Sequence, residues 1–91
     1  MKKYIVERKF PGLENLTPQE LQAITRKSNK TLKEMNAAYH WIESFVTKDK
    51  MYCVHIAPDE ETVREHARRG GFPANRVVEV LSEINPTTTG Q

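Results

Sequence analysis

An α+β fold with the element order β-α-β-β-α-β is predicted by three features of the sequence. Alternating runs rich in β-formers occur four times, at 3–10, 38–47, 50–57 and 75–84. Between them, 17–36 and 59–71 carry helix start and stop chemistry instead. The whole fits in 91 residues, a length that supports one domain with one modest core.

The first strand is "KYIVERKF", which "PGLENL" then breaks. Thr17 supplies an N-cap, Pro18 takes the first helical position, and Glu20 completes a capping box. Leu21, Ile24, Ser28, Leu32 and Met35 recur at helical spacing along one face, and Asn36 ends the run. "AYHWIESFVT" is the second strand and 50–57 the third, stopped by Pro58. Asp59 caps a second helix with Glu60 and Glu61 in its first turn. Arg64, Arg68 and Arg69 lie toward its other end, as the helix dipole favours. Gly70 and Gly71 stop it. "NRVVEVLSEI" is the fourth strand. Residues 1–86 then form the domain and 87–91 a loose tail. This order is that of the ferredoxin-like split βαβ fold: one antiparallel sheet with two helices on one face. The other face is left bare, which predicts a homodimer.

Composition narrows the function. Fourteen basic against twelve acidic residues give a net charge of +2, too even to announce a nucleic-acid or membrane partner. No run is long and apolar enough to span a bilayer. The start, "MKKYIVERKF", has neither a continuous apolar run nor a small-residue cleavage site, so it reads as a strand. One cysteine makes no intrachain disulfide and suits a reducing cytoplasm. It also excludes iron–sulfur chemistry, which takes about four cysteines, and a Cys-x-x-Cys copper site. The third strand, "KMYCVHIA", lacks the glycine and paired aromatics of an RNA-recognition strand.

The candidate ligands centre on Cys53 and His55 in that strand. Side chains alternate, so Tyr52, Val54 and Ile56 share one face and Met51, Cys53, His55 and Ala57 the other. The first set is larger and more apolar and is expected to face the helices. A two- or four-residue turn pairs Val46 with Met51 and Ser44 with Cys53. His40, Cys53 and His55 then lie together on the face away from the helices. A three- or five-residue turn separates His40 from the other two. Imidazole and thiolate together suit nickel, zinc or copper. The competing reading is ordinary strand filling, since a lone cysteine is usually a small buried hydrophobe.

A second constellation involves His66, three residues after Val63 on the second helix and directed toward the helix–sheet gap. Glu43, between Trp41 and Phe45, is a candidate buried carboxylate beside it. Together they would make the acid–base pocket of a small dimeric α+β-barrel enzyme, with Tyr4 or Trp41 shaping the substrate site. Glu7 and Arg8 in the first strand are open to either site. A plain interaction module is the third reading.

The stretches "YCVHIAP" and "REHARRGGFPANRV", with "YIVER" and "LTPQEL", resemble a family of small bacterial proteins long catalogued as a domain of unknown function. The resemblance covers residues 3–87. It implies a ferredoxin-like dimer that binds nickel in metal sequestration or handling and is not an enzyme. It carries over no ligand set. The residues named from chemistry and face arithmetic are His55, Cys53, His40 and His66, with zinc and cobalt as alternative ions. Imidazole ligation predicts binding that weakens as pH falls through the histidine range.

Overall fold

The computed structural model describes residues 1–36 and 38–90. The elements are β1 (Lys2–Lys9), a 3-10 turn (Leu13–Asn15), α1 (Pro18–Met35), β2 (His40–Val46), β3 (Lys50–Ala57), α2 (Glu60–Gly70) and β4 (Arg76–Val80). The sheet runs β2-β3-β1-β4, with every neighbouring pair antiparallel. This is the ferredoxin-like arrangement that the order of elements predicts.

The helix boundaries follow local chemistry. Thr17 Oγ1 accepts from the Glu20 backbone N–H at 3.1 Å, and the Glu20 carboxylate accepts from the Thr17 N–H at 3.2 Å. Asn36 closes α1 at φ 50°, in the left-handed region that asparagine tolerates. Asp59 accepts from the Thr62 N–H at 2.8 Å and opens α2. Gly71 ends α2 at φ 69°. The fourth strand is shorter than the expected 75–84. Lys3 pairs with Val80, which brings β4 to the end of its one partner, β1. Leu81 and Ile84 are therefore exposed. Residues 81–90 have no regular structure, and Gln91 of the expected tail lies outside the described residues.

The core lies between the helices and one face of the sheet. Tyr4, Val6, Met51, Cys53 and Ala57 line that face, and Val63 of α2 packs against them. This reverses the expected orientation of β3. Met51, Cys53, His55 and Ala57 are buried, whereas Tyr52, Val54 and Ile56 are half-buried on the open side.

The register between β2 and β3 at the turn is the one that a two- or four-residue turn gives: Val46 pairs with Met51 and Ser44 with Cys53. A bulge between Trp41 and Glu43 then changes the parity. Trp41 pairs with His55 and His40 with Ile56. His40 is therefore exposed on the open face, separated from Cys53 and His55. Glu43 pairs with Val54, also on the open face, and is exposed. The bulge overturns the expected grouping of His40 with His55, and the reversed orientation of β3 overturns that of Glu43 with His66, because Val54 and its partner Glu43 face away from the helices.

Candidate functional site

The histidines that the fold brings together are His55 from β3 and His66 from α2. Each is 1% exposed, and their ring centroids lie 5.7 Å apart. Tyr39 sits beside both, at 5.2 Å from His55 and 5.3 Å from His66. The ring of Phe72 covers the far side of His66 at 5.5 Å. These side chains converge because the burial periodicity of α2 puts Val63, His66 and Ala67 on one face.

The imidazoles are under-bonded. His66 Nε2 lies 3.2 Å from the Ser28 hydroxyl on α1, while its Nδ1 has no partner among the described residues. Neither ring nitrogen of His55 has one, nor does the Tyr39 hydroxyl. Buried polar groups are normally hydrogen-bonded, so a cluster of orphans is a departure that calls for an explanation. Burial, then the nearby charge of Arg8, then His66 push the His55 pKa down to about 3. Burial and then Arg8 push His66 down to about 4, with Ser28 opposing. Both rings are thus neutral at pH 7 and available as ligands or as single hydrogen-bond donors. Burial pushes the Tyr39 hydroxyl above the usual phenol range.

Cys53 belongs to the same pocket. Its sulfur accepts from the Ser44 hydroxyl at 2.9 Å and from Arg8 Nε at 3.4 Å. Trp41 Nε1 in turn donates to Ser44 Oγ at 2.9 Å, a contact that spans the bulge. Arg8, only 3% exposed, also donates through Nη1 to the Pro73 carbonyl at 2.5 Å. These groups line a cavity of about 30 Å³ walled by Ile24, Trp41, Met51 and Phe72.

Of the four ligand candidates, His55, His66 and Cys53 line this cavity, with no three of them placed to share one ion, and His40 lies outside it. Tyr39, Ser28 and Phe72 join the site without a signal in the sequence, whereas Arg8, left open to either site there, belongs to this one. The signal for Arg8 was present: it alternates in phase with Tyr4 and Val6, on a strand face that is otherwise apolar.

Gly70 fixes one wall. A Cβ at this buried position would collide with the Phe72 ring. We expect Gly70→Ala to push Phe72 off His66 and to destabilise the fold by about 1–3 kcal/mol in urea denaturation. An unchanged midpoint would mean that Phe72 is not held there.

A family model described as nickel responsive protein SCO4226-like matches residues 4–80. The chain belongs to the SCO4226-like family. Among solved structures, it resembles the crystal structure of SCO4226 from Streptomyces coelicolor A3(2), with a TM-score of 0.75 and 19% identity. That match covers 90% of this chain and 99% of the other. At this identity the likeness speaks for the fold, and it agrees with the strand order described above. No curated protein matches the chain. No helix is long and apolar enough to cross a membrane among the described residues.

Proposed function

We propose that this member of the SCO4226-like family binds a divalent transition metal, nickel foremost, as cargo in sequestration or handling. His55 and His66 are the imidazole donors. The observation that carries this reading is the set of buried ring nitrogens left without partners on two facing, neutral histidines. Imidazole suits nickel, zinc and cobalt, and the family's nickel responsiveness favours the first.

The donor chemistry fits the ion, but the donor count is low. No three His, Cys, Asp or Glu side chains gather as a metal-holding group among the described residues. The imidazoles therefore supply part of the coordination and small ligands from solution the rest. Cys53 is a secondary donor, since its sulfur is already engaged by Ser44 and Arg8. With Glu43 on the opposite face, His66 lacks the carboxylate that the acid–base reading required.

Calorimetric titration of metal-free, reduced protein with Ni²⁺, Zn²⁺ and Co²⁺ tests this. We expect stoichiometric Ni²⁺ binding that survives His40→Ala and disappears in His66→Leu. Binding lost in His40→Ala and kept in His66→Leu would transfer the site to the open face.

The bare sheet face supports the dimer reading. Ile5, Phe45 and Val78 are 39%, 54% and 40% exposed there. Contiguous exposed apolar area of this kind marks an interaction surface. Paired Phe45→Glu and Val78→Glu changes should convert a dimer to a monomer in sedimentation equilibrium, because two like charges would then oppose each other across a two-fold axis. A native chain that sediments as a monomer would remove the dimer. A cytoplasmic location goes with this reading, since the thiol of Cys53 is free and buried.

A further inference from the structure

We infer that the helix–sheet pocket binds a small carboxylate-type anion, with Arg8 as its charge partner and the His55 and His66 ring N–H groups as donors. A guanidinium is always protonated. Arg8 is 3% exposed and pairs with no carboxylate among the described residues. Its protein acceptors are a sulfur and one backbone carbonyl. The neighbouring acid on β1, Glu7, points to the open face and is taken by Lys50 at 3.0 Å. A desolvated cation without a counter-charge is costly to bury, and an anion entering the same cavity would relieve that cost.

The surroundings specify the kind of anion. The guanidinium fork matches planar oxyanions in bidentate fashion. Each neutral imidazole carries one N–H, and three of the four ring nitrogens of the pair have no protein partner. The cavity of about 30 Å³ has room for roughly two or three water-sized spheres, on the scale of a carboxylate group. Phe72 lies over the guanidinium, 5.7 Å from Arg8 Cζ to the ring centroid, and helps keep water away from the charge. In this low-dielectric setting the attraction between Arg8 and an anion is stronger than at the surface. The inference rests on Arg8 and stands apart from the nickel reading.

The test uses the metal-free, reduced full chain, so failure of nickel binding leaves it intact. Sodium formate is titrated at constant ionic strength against chloride, followed by NMR of the Arg8 Nε–H and the histidine rings. The expected result is one-site saturation of the Arg8, His55 and His66 signals, with His40 unmoved. Arg8→Gln should weaken the apparent affinity by about tenfold or more, and Arg8→Lys by less. A second arm with longer carboxylates tells a free small anion, for which formate binds best, from the carboxylate end of a larger molecule. Shifts that grow linearly with formate would overturn the inference. So would saturation of equal strength in Arg8→Gln. Should Arg8→Gln fail to fold, the wild-type Arg8 resonance alone decides.

Discussion

Between pH 6.5 and about pH 5, the folded state should lose about 3 kcal/mol of stability. In the unfolded chain both buried histidines take up protons at the ordinary value of 6.5. In the folded chain they do so only near 3 for His55 and near 4 for His66. The folded state therefore holds fewer protons throughout that window. Its stability is full well above 6.5 and is lost as pH falls toward the folded values, the slope for each ring rising to about 1.4 kcal/mol per pH unit below 6.5. Urea denaturation at the two pH values measures the loss. His55→Leu should roughly halve it. A flat profile would mean that the rings are not desolvated in the fold. The carboxylates do not confuse this window, because the shifted ones, Glu7, Asp59 and Glu65, are all held below ordinary values of 4.5 or less. The same burial corrects the expectation for metal binding. Protons should compete with the metal at lower pH than they would at exposed histidines.

His55→Leu should abolish nickel binding while leaving the protein at least as stable, with a gain of about 1–2 kcal/mol at neutral pH. Leucine has nearly the volume of histidine and carries no polar atoms to strand. His55→Ala should instead cost about 2–4 kcal/mol, since it opens a cavity beneath α2. The contrast separates function from packing. A residue kept for stability alone would be damaged by both changes. A residue kept for binding loses its ligand in both and loses stability only when its volume is removed. Thermal and urea unfolding of the two variants, with parallel Ni²⁺ titrations, give the comparison. Strong destabilisation by leucine would point to hydrogen bonds at His55 that the fold depends on.

The elements themselves were legible because their signals are local. The Thr17–Glu20 capping box, the Pro58–Asp59 stop and start, and the Gly70–Gly71 end each act within a few residues. The turn register was left between two parities in the sequence, and the structure takes the even one, with four residues between the paired Val46 and Met51. The bulge at Ile42 was not legible, because no glycine or proline marks it. That one extra residue changed the faces of His40 and Trp41 relative to Ser44. The orientation of β3 was misread because apolar bulk was taken as the sign of the helix side. Burial there depends on what the helices cover, and they cover Cys53 and His55. Alternation along β1 places Arg8 beside Met51, one step from the Val6–Cys53 pair. Its contact with Cys53 becomes apparent only once the β1–β3 register is known. His66 was placed correctly, since helical spacing from Val63 points it inward.

The most direct test is a Ni²⁺ titration of the metal-free, reduced protein followed by the ring resonances of its three histidines. Bound nickel strongly perturbs the signals of imidazoles that ligate it. The imidazole-pair account predicts that His55 and His66 change together, saturating at one ion per chain, while His40 is unaffected. Perturbation of His40 alone, with His55 and His66 unchanged at saturation, would contradict it.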